Sequence, residues 1–427
     1  MPALLGCIAD DLTGGTDLSG ILVNNGMRTV QMIGVPEGAW PADADAVVVA
    51  LKSRTVPVDE AVAESLAALK WLQAAGCVQY YFKYCSTFDS TARGNIGPVA
   101  DALMDALGTQ FTIACSAFPA TRRTIYQGYL FVNGVLLNES GMQHHPLTPM
   151  MDANLVRVLQ QQTKRKVGLV EHAAVGSGSS AIAERCAQLR REGCGFAIVD
   201  AISDADLEQI GAAAADLTFV TGGSGLAQGL PQNFRKRGLL TPFRVADQAV
   251  AAHGHRAVIA GSCSAATRSQ VDAMREHHPS FRVDALALAN GHDVVAEAAQ
   301  WAEARVGAEP ILVYATAPPD EVQSIQAALG ADQSAALVEQ ALAAIAKKLI
   351  AMGVGQLIVA GGETSGAVMR ALDVKRLTIG RQIDPGVPWT TAMLEEPKRA
   401  PLALALKSGN FGTPDFFLKA WSQLTPL

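Results

Sequence analysis

The sequence predicts an α/β protein of two domains. Each is expected to be a largely parallel sheet flanked by helices, with the active site in the cleft between them. Three observations predict this. Short apolar runs rich in β-branched residues alternate with helical periodicity, beginning with Leu4–Ala9 and Ala46–Leu51. Glycine-rich or polar segments repeatedly follow those runs, and in open α/β sheets the carboxyl ends of strands face the ligand crevice. The 427 residues also exceed one ordinary core. Periodicity gives way to Pro, Gly and charge over residues 229–254, so the expected domains are 1–235 and 257–427 with a linker at 236–256.

Composition narrows the function classes. A hydrophobic content of 49% with 17% charged residues describes a compact soluble chain. A formal charge of −6 argues against a nucleic-acid partner. The seven cysteines contain no CxxC pair and no metal-ligand spacing, which suits small buried side chains in a reducing cytoplasm. MPALLGCIADD lacks the basic start of a signal peptide, and no apolar run approaches 18 uninterrupted residues, so neither a leader nor a membrane span is expected.

In the first half, Leu4–Ala9 ends in Asp10-Asp11, followed by LTGGTD and a helix through Leu18–Asn25. Adjacent residues on an extended backbone face opposite ways, so only one of these carboxylates is expected to reach a ligand; the other reading is a helix cap. Ala46–Leu51 runs into Lys52, Ser53 and Arg54. A helix near 59–75 and the strand Val78–Lys83 lead into YCSTFDSTARGN and a helix near 96–107. Lys83, Asp89, Ser90, Thr91 and Arg93 suit a polyhydroxy anion: guanidinium holds carboxylate, while hydroxyls and Asp read sugar oxygens. Phe111–Cys115 is followed by alternation with turn signals at Gly128 and Asn133-Gly134, the mark of a β-hairpin with Arg122 and Arg123 at its base. His144-His145-Pro146 has no third ligand at metal spacing and is expected to be an ordinary loop. GSGS at 176–179 and GGSG at 222–225 are weak glycine signals.

Three loops mark the second half. IVAGGETSG at 358–366 reads as strand, glycine turn and helix start, with Thr364 or Ser365 as cap. GSCS at 261–264 and KSGNFG at 407–412 each follow an apolar run. Glycines admit a phosphate to the backbone, and free N–H groups at a helix start favour negative charge. The remaining elements expected are a helix at 265–276, a strand near 281–286, a helix at 293–305, the strand Pro310–Tyr314, a long helix near 333–352, a proline-braced loop PGVPW at 385–389 and a last helix from Pro414.

No GxxxxGK[ST], HExxH or GxSxG occurs, which argues against Walker-type, zincin and α/β-hydrolase chemistry. An acid-polyol cleft in one domain and a phosphate site in the other suit phosphoryl transfer, with an Asp accepting the hydroxyl proton and Mg²⁺ bridging the phosphates. A sugar-acid sensor and a dinucleotide oxidoreductase are the other classes. The first would not need three phosphate loops, and the second is weakened by the missing fingerprint.

The ordered motifs IADDLTG, LKSRT, KYCSTFDSTARGNIGP, GYLFV, GSCS, AGGETSG, DPGVPW and LALKSGNFG resemble the four-carbon acid-sugar kinase family over essentially the whole chain. The resemblance implies an ATP- and Mg²⁺-dependent enzyme acting on O4 of a four-carbon sugar acid. The KYCSTFDST spacing points to 3-keto acids rather than threonate or erythronate. It implies sugar-acid contacts at Asp10, Asp11, Lys52, Arg54 and the 83–93 cluster. It also implies nucleotide contacts at Ser264, at Gly361, Gly362, Glu363 and Thr364, and at Gly409, with Ser408 beside it. Asp11 or Asp10 would orient or deprotonate O4. Metal ligands are not implied, and a homodimer is expected only from base rates. Gly15 and Arg122 stand where smaller departures from the family pattern occur, Gly15 in place of an expected Ala.

Overall fold

The computed structural model describes residues 3–41, 44–145, 148–240, 250–307, 309–394 and 400–426. The chain divides into two compact units, residues 1–246 and 247–427. Of the linker expected at 236–256, residues 241–249 lie outside the described residues, as does Pro146 of the His-His-Pro loop.

The first unit contains β1 (Leu5–Ala9), β2 (Thr29–Ile33), β3 (Ala46–Ala50), β4 (Gln79–Lys83), β5 (Thr112–Cys115), β6 (Arg123–Tyr126), β7 (Tyr129–Val132), β8 (Val135–Leu136), β9 (Lys166–Val170), β10 (Cys194–Val199) and β11 (Phe219–Gly222). Its main sheet runs in the order β2-β3-β1-β4-β11-β5-β10-β9, with every neighbouring pair parallel. Every residue of β1, β3 and β4 is buried, as expected for parallel strands covered on both faces. The chain lays β2 and β3 on one side of β1, then crosses to β4 on the other. The strand order therefore reverses at β1, and such a switch point opens a crevice at the carboxyl edge. β6 and β7 form the expected hairpin, extended by β8.

The second unit contains β12 (Ala251–Ala252), β13 (His255–Ala260), β14 (Ser280–Arg282), β15 (Ile311–Tyr314), β16 (Val354–Ala360), β17 (Arg376–Asp384), β18 (Val387–Ala392) and β19 (Leu402–Lys407). The order β14-β15-β13-β16-β19 is parallel throughout, and β18 and β17 then add antiparallel. The chain again crosses from one side of its first long strand, β13, to the other.

Several expectations require correction. The first helix, α1 (Leu12–Asn24), starts six residues before Leu18 because Asp11 caps it, accepting from Gly14 N. β2 did not read as a strand because Gln31 interrupts it. That amide is buried and satisfied by Thr16 Oγ1 at 2.9 Å and Leu12 O at 2.9 Å. The strand expected at 281–286 stops at Arg282, since Asp284 caps a helix over Ala285–Ala289. PGVPW is not a loop. Pro385-Gly386 makes the turn, Gly386 at φ +83°, and β18 carries Trp389 into the core, where its Nε1 donates to Ala420 O at 2.9 Å. A helix over Pro319–Leu329, which the sequence reading lacked, precedes the long one at Ala331–Ala351.

One contact tests this packing. The helix Asp204–Ala213 lies so close to the turn Ser224–Gly229 that a Cβ on Gly211 would sit 2.5 Å from Gly229 Cα. Gly211→Ala is expected to cost about 1–3 kcal/mol by overpacking. Urea denaturation should show a lower midpoint at unchanged slope.

Candidate active site

At the carboxyl edge of the first sheet, the ends of β1, β3 and β4 bring five charged side chains together. Asp10 accepts both forks of Arg54, from Nε at 2.8 Å and from Nη2 at 2.8 Å. The same Nη2 donates to Asp11 Oδ1 at 2.6 Å, and Lys83 Nζ reaches that oxygen at 3.2 Å. Arg54 Nη1 faces Asp89 at 3.5 Å. Burial alone would raise the Asp11 carboxyl, but Arg54 and Lys83, with bonds from Thr13 and Gly14, outweigh it and hold Asp11 far below the usual range. Burial likewise opposes the Lys83 ammonium, and Asp11 and Asp10 reverse that, leaving its pKa raised.

Local structure fixes each member. Gly14 is required, since a Cβ there would fall 1.7 Å from Lys83 Nζ and 2.2 Å from Asp11 Oδ1. Asn95 Nδ2 donates to the carbonyls of Ser53 at 2.8 Å and Val56 at 2.9 Å, clamping the loop that carries Arg54. Phe88 sits at φ +60°, which a bulky residue rarely adopts. Its ring is fully buried edge-on to Tyr84 at 5.4 Å, so packing holds the strained backbone that turns Asp89 toward Arg54. Thr87 Oγ1 donates to Asp89 Oδ1 at 2.5 Å, and Gln162 Nε2 donates to Ser90 Oγ at 2.8 Å and Thr91 O at 2.6 Å. These residues enclose a pocket lined by Asp10, Ser53, Arg54, Asp89, Ser90 and Asn95.

At the carboxyl edge of the second sheet three loops converge. Ser264 caps the helix Ala265–Arg275, and its Oγ donates to Gly409 O at 2.6 Å. Gly361 caps the helix Gly362–Ala371 at φ +123°, and its N donates to Lys407 O at 2.8 Å. A Cβ on Gly261 would meet Thr364 Oγ1 at 2.1 Å, and one on Gly409 would meet Ser262 Oγ at 2.4 Å. Loops 261–264, 361–364 and 408–411 are therefore in mutual contact, and backbone lines the surface they share. Such a cradle suits phosphate.

Comparison with known proteins agrees with this division. Residues 5–230 match the family described as a sugar-binding N-terminal domain, and residues 257–417 match one described as a nucleotide-binding C-terminal domain. The 3-oxo-tetronate kinase of Burkholderia multivorans is 59% identical over 421 residues, 99% of this chain and 97% of that protein. The enzyme of the same name from Pseudomonas fluorescens is 58% identical, again over 99% of this chain and 97% of that protein. A crystal structure from Salmonella typhimurium LT2 matches with a TM-score of 0.86 at 43% identity, covering 99% of this chain and all of that one. The chain belongs to the four-carbon acid-sugar kinase family.

Set beside the sequence expectations for this kinase family, the structure gathers Asp10, Asp11, Arg54, Lys83 and Asp89 into one ion cluster and places Ser90 and Thr91 beside it. Asp10 and Asp11 do not diverge as an extended dipeptide would, because the strand ends at Ala9 and the Arg54 guanidinium spans both. Lys52 and Arg93 are exposed, outside this cluster. In the second unit Ser264, Gly361, Thr364, Ser408 and Gly409 lie on the three touching loops, with Gly362 and the exposed Glu363 opening the helix. The cap is Gly361 rather than Thr364 or Ser365, both of which are buried in the first turn. Gly15 packs tightly: a Cβ would lie 2.9 Å from that of Ala50, so this chain has closed the space an Ala would need. Arg122 takes a left-handed turn at φ +60° where the hairpin begins.

Sequence reasoning did not single out Asn95, Lys407 or Asp17. Asp17 lies on α1 with Oδ1 buried and no hydrogen-bond partner among the described residues. Burial, only partly offset by Ser224 and Lys83, pushes its carboxyl up to about 7. Its spacing from Asp11 carried no signal, because only the turn after β11 brings Ser224 to it.

The sign of the linkage follows. Below pH 4 the group is neutral in both folded and unfolded chains and costs nothing. Between pH 4 and 7 the unfolded chain releases the proton first, so stability falls as pH rises, reaching a penalty of about 4 kcal/mol above 7. Asp17→Asn should therefore resist denaturant better than wild type at pH 8 and equally at pH 4, measured by urea titrations at both.

Proposed function

We propose that the protein is an ATP-dependent kinase that phosphorylates the 4-hydroxyl of a 3-oxo-tetronate, in the breakdown of four-carbon acid sugars. The observation that carries this reading is 59% identity, over nearly the full length of both chains, to an enzyme of that name. The geometry agrees with it in kind. The first unit offers a pocket of carboxylates, hydroxyls and buried cations for a small oxygen-rich acid, and the second offers a glycine-and-hydroxyl cradle for polyphosphate.

In this reading O4 attacks the γ-phosphorus, the bond to the ADP oxygen breaks, and the O4 proton passes to a carboxylate. Asp11 is a weak proton acceptor because Arg54 and Lys83 stabilise its charge. Its part is to orient O4, which suffices for a reaction governed by positioning more than by base strength. Arg54 is already engaged by Asp10, Asp11 and Asp89, so its part is to hold those carboxylates rather than to grip the substrate. The substrate carboxylate falls to Lys52 and Arg93 at the rim, and Ser90, Thr91 and Lys83 meet the keto and hydroxyl oxygens. Ser264, Gly361–Thr364 and Ser408–Gly409 hold the nucleotide.

Mg²⁺ belongs to the same proposal. Among the described residues no group of three His, Cys, Asp or Glu is placed to hold a metal. That donor set fits an ion carried mainly by phosphate oxygens and water, with Glu363 the nearest acidic side chain in the loop sequence. The ion would neutralise charge on the transferring phosphoryl group. A cytoplasmic homodimer completes the proposal. The seven free cysteines suit that compartment, and light scattering measures the assembly.

Two measurements test the reading. ADP release with Mg-ATP should be fast with 3-oxo-tetronates and slow with threonate and erythronate. Turnover mainly with the latter pair would keep the family and move the substrate. Asp11→Asn should lower kcat by about 100-fold or more while the KM for ATP stays within a factor of three. A parallel loss of ATP binding would instead make Asp11 a structural cap.

A further inference from the structure

Lys407 ends β19 directly before the 408–411 loop, and it is fully buried. Its Nζ lies 3.0 Å from Thr267 Oγ1, 3.1 Å from Ser408 O, 3.1 Å from Gly409 O and 3.2 Å from Phe411 O. An ammonium has three N–H donors, so four oxygens already exceed its capacity, and none is left for a phosphate. The familiar role of a lysine beside a glycine loop, a direct hand on the nucleotide, is closed to it.

What the ammonium does instead follows from peptide geometry. No cis peptide occurs here, and in a trans peptide the N–H points opposite to the C=O of the same plane. Drawing the carbonyls of Ser408, Gly409 and Phe411 onto Nζ therefore turns the N–H groups of Gly409, Asn410 and Gly412 away from it. Gly409 O is further pinned by Ser264 Oγ at 2.6 Å and Thr267 Oγ1 at 2.9 Å, which ties the peptide to the 261–264 loop. Successive backbone N–H groups facing one way make an anion nest.

We infer that Lys407 is a positioning residue of the nucleotide site: its buried ammonium gathers the loop carbonyls and so aims the N–H groups of Gly409, Asn410 and Gly412 at a nucleotide phosphate. The inference deepens the kinase reading and rests on it. Burial without a contacting carboxylate costs the ammonium, and its pKa falls to about 7. A loop built this way needs the cation for its shape rather than for an external ligand.

The test is calorimetric binding of Mg-ADP to full-length wild type and Lys407→Met, with KM values for ATP and for the sugar acid and a thermal melt as the control for folding. The expected result is an Mg-ADP Kd and ATP KM raised about tenfold or more, with the sugar-acid KM within a factor of two. A folded Lys407→Met with wild-type nucleotide affinity, or an equal loss for the sugar acid, overturns the role. If Lys407→Met does not melt cooperatively, Thr267→Val decides. It removes one oxygen of the cage and one bond to Gly409 O from a buried site, and nucleotide binding should weaken about threefold. Unchanged binding by that variant overturns the role as well. Wild type that binds no Mg-ADP would overturn the nucleotide reading itself, and with it this inference.

Discussion

The first unit depends on one guanidinium. Arg54 is held by Asp10 and Asp11 and faces Asp89, and Lys83 shares Asp11 with it. Charges taken from water are costly unless paired and hydrogen-bonded, and removing one member strands the rest. That condition accounts for much of the surrounding structure. Asn95 clamps the Arg54 loop, Thr13 and Gly14 complete Asp11, Thr87 completes Asp89, and Phe88 keeps a strained backbone so that Asp89 arrives. The side chains belong to four separate segments, so the cluster exists only where β1, β3 and β4 end side by side. Fold and site are one construction here.

The switch-point topology explains why the same edge serves both units. In each, the chain lays strands to one side of its central strand and then crosses over, so loops from neighbouring strands diverge and leave room at the carboxyl edge. In the first unit that room receives charged side chains. In the second it receives backbone, because glycines at 261, 361 and 409 let the three loops approach to distances no Cβ allows. The difference matches the ligands of the proposed reaction: a small acid needs directional side-chain contacts, and a polyphosphate is held well by N–H groups.

Much of this was legible in the sequence for physical reasons. Buried parallel strands read as continuous apolar runs, so β1, β3, β13, β16 and β19 stood out, and the polar segments behind them marked the ligand edge. β2 and β18 did not stand out, since Gln31 and the two prolines of PGVPW break the pattern. In both cases a tertiary partner outweighs the local signal: the Thr16 and Leu12 bonds to Gln31, and the burial of Trp389. Individual site residues followed the same rule. Asp10, Asp11 and Arg54 were visible as charges at strand ends, but that they satisfy one another depends on a 44-residue separation that periodicity does not encode. Asp17 was hidden for the same reason, its one polar partner Ser224 lying some two hundred residues on.

Lys83 and Lys407 bring out the electrostatic logic that the motifs left implicit. Each is the last residue of its strand, each is buried, and each stands at the root of a ligand loop. Lys83 touches the Asp11 carboxylate, so its field is largely cancelled at short range, and what remains at the edge is an array of oxygens and hydroxyls suited to a polyol. The four contacts of Lys407 are neutral oxygens, so its charge is not cancelled. It polarises the peptides it holds and adds positive potential on their outward N–H side, where an anion would sit. The partner chosen for a strand-end lysine thus sets the sign of the site before it: near neutrality for the sugar acid, net positive for the phosphates.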